Sequence, residues 1–222
     1  MLLTWIIVFS VLGSVGAIAG AALLLLFRES TRITVLPCLL SYAIGTLLGA
    51  AFLGMIPNAL QQNTPLTISG TVLGGIVIFF VLEKLIIWRH CHESECEVHG
   101  AAGPLILIGD AFHNFVDGFV IAAAFLTSVP LGIASSLAVI AHEIPQEVGD
   151  FAILLENGYS KTRALALNLL SSLTTLPGAV IAYFFLGATL EAVPFILALS
   201  AASFIYIAIA VLVPSLLRQI GI

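Results

Sequence analysis

The chain has 222 residues, and its composition excludes an ordinary soluble domain. Hydrophobic residues make up 60% of the chain, charged residues make up 9%, and the mean hydropathy is +1.18. A net charge of −5 with seven basic side chains gives no basic surface for a nucleic acid, and three cysteines do not suggest a disulfide framework. Soluble domains carry about a quarter charged residues. We therefore predict an all-α fold, a polytopic membrane helix bundle in contact with a lipid bilayer.

Seven apolar runs are long enough to cross a bilayer as helices, and short polar or Pro/Gly-bearing joints separate them. The N-terminus lacks the positive region of a signal peptide, so we interpret the first run as a span. We treat residues 1–222 as a single transmembrane domain. Its predicted spans are about 3–27, 34–57, 66–88, 104–127, 131–155, 163–186 and 193–216.

The basic residues predict the orientation. They fall at the joints after the first, third, fifth and seventh spans, and the other joints have none. Cytoplasmic loops carry the excess of Lys and Arg, so we expect the N-terminus outside and segment 89–103 in the cytoplasm. The seven are Arg28, Arg32, Lys84, Arg89, Lys161, Arg163 and Arg218.

Segment 89–103 contains the longest polar stretch and concentrates possible metal ligands. These are His90, Cys91, His92, Cys96 and His99. Their spacing does not match a zinc finger, which needs paired short intervals such as CxxC. The segment is either a solvated connector or a loop that catches or senses metal.

Most of the polar chemistry lies in the fourth and fifth spans, which hold five of the twelve acidic residues. In the fourth span, Asp110, His113, Asn114 and Asp117 occur at i, i+3, i+4 and i+7, which places them on one helical face. One acid at mid-membrane costs about 2.5–3.5 kcal/mol on insertion scales. Such residues persist where they meet partners, water or an ion.

The fifth span carries the second polar face. His142, Gln146 and Asp150 are spaced by four residues, and Glu143 and Glu147 lie beside them on an arc of roughly 140°. The joint between the two spans is short, so we expect antiparallel neighbours whose polar faces meet.

These residue types indicate a divalent cation. Imidazole and oxygen ligands without thiolate suit Zn²⁺, Fe²⁺, Mn²⁺, Co²⁺ or Cd²⁺ better than Cu⁺. The ligands outnumber the needs of one tetrahedral ion, so two adjacent ions bridged by Glu143 or Asp117 are possible. Pro145 is expected to kink the helix and free a backbone carbonyl beside the ligands.

Two other interpretations explain these faces less well. Interhelical hydrogen bonds explain Asn114, Gln146, Asp110 or Asp150 singly, but not the whole cluster. The sequence from His142 also approaches HExxH, the zinc helix of metalloproteases, including intramembrane ones. Gln146 replaces the second histidine of that motif, so an enzyme is disfavoured.

The paired motifs resemble the signature of the ZIP (Zrt/Irt-like) metal transporters, in a prokaryotic-type form. They are His113-Asn114-x-x-Asp117-Gly118 and His142-Glu143-Ile144-Pro145-Gln146-Glu147-x-Gly149-Asp150-Phe151. The resemblance implies uptake of a divalent metal, zinc first, into the cytoplasm, with the metal as substrate and no organic cofactor. It also implies an elevator-like cycle, a homodimer and an integral protein of a prokaryotic inner membrane.

Carried over residue by residue, the resemblance gives the metal ligands His113, Asn114, Asp117, His142, Glu143 and Gln146. Glu147, Asp110 and Asp150 on the same polar faces are candidate secondary ligands. Gln146 stands where many relatives have His or Glu. Relatives also have eight spans, and this chain ends after the seventh, so we expect the last helix to be missing. The alternatives to a transporter are a non-transporting metal-binding relative or fragment, and an intramembrane zinc metalloprotease.

Overall fold

The structure is a computed structural model that describes residues 1–90 and 102–219. Within these ranges the chain is almost entirely helical, contains no β-strand, and forms seven successive helices. Three of them contain a π-helical stretch, at Leu12–Gly16, Ala50–Met55 and Ile207–Leu212. The helices are α1 (2–26), α2 (29–60), α3 (Pro65–His90), α4 (Ala102–Thr127), α5 (Val129–Glu156), α6 (Lys161–Ser172 and Thr175–Ala188) and α7 (190–219).

Six of the seven helices are long and apolar enough to cross a membrane. Helix α5 has 28 residues and is also long enough, but the polar residues of its inner face lower its hydropathy. The predicted all-α membrane bundle is therefore confirmed. Helix α5 is continuous from Val129 to Glu156 with Pro145 inside it, and the kink expected there stays a prediction.

The turn between α4 and α5 places the two polar faces side by side. Only Ser128 separates the two helices. Its hydroxyl oxygen accepts a hydrogen bond from the backbone N–H of Leu131 at 3.3 Å, which caps the start of α5, and Pro130 occupies the first turn. So short a joint makes the helices antiparallel neighbours.

Helix α4 lies at the centre of one group of helices, in contact with α1, α5 and α6. Gly118 on α4 and Gly178 on α6 allow these two helices to approach closely. A Cβ atom at Gly118 would overlap the carbonyl oxygen of Thr175, and one at Gly178 would overlap that of Phe115. The two backbones therefore touch directly, as small residues permit in membrane helix pairs.

The remaining helices form the other side of the bundle. Helix α7 packs against α2 and α3, and it also contacts α4, while α2 contacts α5. Phe204 of α7 is fully buried, and the centre of its ring lies 6.3 Å from that of His142. The polar faces of α4 and α5 are thus enclosed by other helices.

Segment 91–101 lies outside the described residues. The prediction of a cytoplasmic metal-handling loop at 89–103 therefore stays a prediction. Of its candidate ligands, Cys91, His92, Cys96 and His99 fall within that segment, and His90 is the last residue of α3.

Candidate metal site

Four side chains from α4 and α5 bring one ligand atom each to a common point. The Nε2 atom of His113 lies 3.2 Å from that of His142. Asp117 Oδ2 is 3.6 Å and 3.4 Å from these two nitrogens, and Glu143 Oε1 is 3.5 Å and 3.2 Å from them. We name this group of four the central cluster.

These separations match the edges of a tetrahedron around a metal ion. Zinc binds imidazole nitrogen and carboxylate oxygen at about 2.0–2.1 Å, which gives ligand-to-ligand edges of about 3.3–3.4 Å. The measured separations of 3.2–3.6 Å bracket that value. Two nitrogens and two oxygens around one position are the donors of a zinc-type site.

Because the central cluster is buried, ionised carboxylates are unfavourable there unless a cation is bound. Asp117, His142 and Glu143 are at most 1% exposed, and the His113 side chain is 22% exposed. Neither carboxylate oxygen of Asp117 or Glu143 has a hydrogen-bond partner among the described residues. A divalent cation would compensate both charges where solvent cannot.

His142 is oriented for metal binding by its own helix. Its Nδ1 lies 3.1 Å from the carbonyl oxygen of Ala138. A carbonyl can only accept, so Nδ1 carries the proton and the lone pair of the neutral ring is on Nε2. Metal-ligating histidines commonly use such a bond to fix their tautomer.

Two other predicted ligands, Asn114 and Gln146, contact a neighbouring acid in this structure. The Asn114 amide nitrogen donates to Asp110 Oδ1 at 3.0 Å, and that of Gln146 donates to the same oxygen at 2.9 Å. The side-chain oxygen of Asn114 accepts from the Thr175 hydroxyl at 3.0 Å. Their ligand role stays a prediction, and their observed contacts hold Asp110 in place.

The acids predicted as secondary ligands divide into two cases. Asp110 and Glu147 are buried and come together with Glu143, with one carboxylate oxygen from each lying within 4.8 Å of the others. We name these three residues the acidic cluster. Asp150, one turn further along α5, is partly buried and belongs to neither cluster.

Helix α6 contributes contacts that the sequence did not reveal. Hydroxyl groups cluster around its interruption at Leu173–Thr174. Thr174 donates to the carbonyl oxygen of Ala111 at 2.6 Å, and Asn168 donates to that of Glu147 at 3.3 Å. In the sequence, the only indication of these contacts was the group of polar residues in this segment. Ser and Thr occur widely in membrane helices, however, and their partners depend on packing.

A substitution at Thr175 tests whether the contacts made by α6 support the metal site. Thr175→Val keeps the side-chain shape but removes the hydrogen bond to Asn114. Outer-shell groups typically affect metal affinity about 10–100-fold, so we expect zinc affinity to fall within that range with the fold intact. Isothermal titration of the purified variant measures it. Unchanged affinity would show that the orientation of Asn114 does not matter for binding.

A bundle of membrane helices enclosing a buried cluster of nitrogen and oxygen ligands is the arrangement of a membrane metal-binding protein. The sequence model of the ZIP zinc transporter family matches residues 89–220, more than half of the chain and both polar faces. The chain belongs to the ZIP zinc transporter family.

Similar proteins include zinc transporters from animals. Zinc transporter ZIP13 of Pongo abelii is 34% identical over 82% of this chain and 58% of its own length. Zinc transporter zipt-7.2 of Caenorhabditis elegans is 30% identical over 83% of this chain and 53% of its own. Human zinc transporter ZIP4 is 45% identical over 51% of this chain and 18% of its own. The chain thus spans little more than half the length of the first two relatives.

Proposed function

We propose that this chain carries a divalent metal cation, zinc first, across the membrane and into the cytoplasm. The observation that carries the proposal is the central cluster, where two imidazole nitrogens and two carboxylate oxygens converge in a buried position between α4 and α5. Fe²⁺, Mn²⁺, Cd²⁺ and Co²⁺ are further candidates, because they accept the same mixed ligands. Family membership supports zinc as the principal substrate.

The orientation of the chain rests on charge, and the direction of transport rests on the resemblance of the motifs. All seven basic residues lie at one set of joints or within a few residues of them, and the positive-inside rule places those joints in the cytoplasm. The proposal also includes a homodimer in a prokaryotic inner membrane, which follows from the resemblance of the motifs.

Zinc uptake into proteoliposomes tests the function. We expect wild-type protein to carry radioactive zinc into vesicles, and His113→Ala/His142→Ala to abolish the flux because two of four ligands are lost. Glu191→Gln is the control, since Glu191 is exposed and lies outside both clusters. Wild-type flux in the double variant would contradict the site. Binding without flux in the wild type would instead indicate a non-transporting relative.

Thiol labelling tests the orientation. In a Cys38→Ser background, the remaining cysteines are Cys91 and Cys96. We expect a membrane-impermeant maleimide to label them only after permeabilisation of the cells, because segment 89–103 is predicted to be cytoplasmic. Labelling in intact cells would reverse the orientation and the proposed direction.

The relative importance of the two metal-binding regions is also testable. Deletion of residues 90–99 should cost less zinc affinity than His142→Ala, because the central cluster offers a preorganised tetrahedron. Equilibrium binding measures both variants. The opposite ranking would move the principal site to the cytoplasmic segment.

A further inference from the structure

We propose that a groove between α1, α5 and α6 binds an anionic phospholipid, with one acyl chain in the groove and the headgroup phosphate on Lys161. The groove has a volume of about 350 Å³ and shares no residue with the central cluster or the acidic cluster. We name it the α1–α5–α6 groove. The ligand is distinct from the transported metal, so the site does not depend on the proposed function. Its lining includes Ala22, Leu26, Phe151, Leu155, Lys161 and Leu165.

The groove is apolar in its depth and basic at its rim. On α1 the lining ends at Leu26, the last residue of that helix, and on α6 it begins at Lys161, the first residue. Ala22 and Leu165 lie four residues further in on these helices, a distance of about 6 Å along each axis. This order matches a phospholipid, whose phosphate lies at the membrane surface and whose chains point toward the middle of the bilayer.

Buried residues hold the wall of the groove in place. Phe151 is 7% exposed and packs with Leu154 and Ala164, which are fully buried. At the mouth, in contrast, Leu26 is 82% exposed. An acyl chain lying along the groove would cover this apolar side chain at a level where it otherwise meets headgroups and water, which is favourable.

Lys161 supplies the charge that selects an anionic headgroup. Its side chain lines the groove and is exposed. The salt bridges among the described side chains all belong to the central cluster, so none of those carboxylates neutralises Lys161. An ammonium group at the mouth of an apolar groove between membrane helices complements a phosphate that carries acyl chains.

The chain around the groove adds to the positive charge. Segments 28–33 and 156–163 together hold four basic and two acidic residues. One of the basic residues, Arg28, is exposed and follows Leu26 by two positions. Both segments are predicted to face the cytoplasm, and the cytoplasmic leaflet carries anionic lipids. The groove therefore opens where its proposed ligand is available.

Arg163 offers a control of equal charge in the same turn of α6. It does not line the groove, and its guanidinium group lies over the ring of Tyr159, 4.9 Å from the ring centre. Side chains two residues apart on a helix differ in direction by about 200°. Substitution of Arg163 thus removes a positive charge without changing the groove.

Native mass spectrometry of the full chain in detergent tests the proposal, with phosphatidylglycerol and phosphatidylcholine of the same acyl chains as probes. We expect wild type to retain phosphatidylglycerol about fivefold more than phosphatidylcholine, the effect of one lysine at an anionic lipid surface. Lys161→Gln should lose this preference. Arg163→Gln should keep it, because the groove is unchanged.

The apolar part of the site is tested separately. Ala22→Phe would place a larger side chain in the groove, so we expect weaker retention of phosphatidylglycerol with Lys161 intact. Glycerol phosphate, which has the phosphate but no acyl chain, should not displace the lipid. The melting temperature of each variant in detergent shows whether the fold is retained, and Lys161→Gln alters only an exposed side chain.

Three results would overturn the proposal. Equal retention of the two lipids by wild type would indicate lipid contact without selection of the headgroup. Equal loss of the preference in Lys161→Gln and Arg163→Gln would mean that binding depends on net charge and not on the groove. Displacement by glycerol phosphate would indicate an anion site that needs no acyl chain.

Zinc titration of the same variants separates this proposal from the proposed function. Lys161→Gln, Arg163→Gln and Ala22→Phe leave the four ligands of the central cluster in place, so we expect each variant to bind zinc as wild type does. Lipid selection without zinc transport, or zinc transport without lipid selection, would then contradict one proposal and leave the other standing.

Discussion

Gly178→Ala is expected to lower the free energy of unfolding by about 1–3 kcal/mol, the usual range for overpacking a tight contact. The added methyl group would overlap the backbone carbonyl of Phe115, so α6 must move away from α4. That movement would also stretch the 3.0 Å hydrogen bond between Thr175 and Asn114. We therefore expect zinc affinity to fall together with stability.

Gly187→Ala is the matched control for this prediction. Gly187 lies on the same helix segment, Thr175–Ala188, and a Cβ atom there would have no neighbour within 4 Å. Alanine costs less backbone entropy than glycine in a helix, so the melting temperature should stay the same or rise slightly. Equal destabilisation by both substitutions would contradict the close contact of α4 and α6.

Glu143→Gln is expected to be the most damaging single conservative change for zinc binding. Glu143 contributes to both the central and the acidic clusters. A neutral amide replaces a direct anionic ligand, and since outer-shell changes already cost about 10–100-fold, we expect a loss of at least about 100-fold in affinity. Competitive titration with a zinc chelator measures it.

The comparison with Glu147→Gln makes the test specific to position. Both substitutions remove one buried negative charge from α5 one turn apart. Glu147→Gln should spare zinc binding at the central cluster, whereas Glu143→Gln should lose it. Equal losses of zinc affinity in the two variants would mean that the affinity depends on the total negative charge and not on the geometry of the central cluster.

The sequence predicted the helices and the pairing of the polar faces because both depend on local patterns. Apolar length identifies membrane helices, and helical spacing placed His113 and Asp117 on one face of α4. The hairpin at Ser128 then followed from a short joint. These features need no knowledge of the rest of the bundle.

Features that depend on packing between distant segments were not predicted. The glycines of α1 do not all mark close contacts, since a Cβ atom at Gly13 or Gly16 would meet nothing within 4 Å. The direct backbone contact instead joins Gly118 and Gly178, and no local pattern identifies that pair. The π-helical stretches in three of the described helices were not predicted either.

The hydrogen bonds that support the site were not predicted for the same reason, because they depend on packing between distant segments. Asn114 was predicted as a ligand from its motif, but in the structure its amide joins Thr175 to Asp110. The hydroxyl of Thr175 comes from a helix that lies far away in sequence. Spacing within one helix cannot show such a partner.

Anomalous X-ray scattering at the zinc edge, from crystals of the zinc-loaded protein, tests the central claim most directly. We predict the strongest peak within about 2.0–2.2 Å of Nε2 of both His113 and His142, with Asp117 and Glu143 completing the coordination. A strongest peak away from these four side chains, for example at residues 90–99, would contradict the assignment of the metal site to the space between α4 and α5.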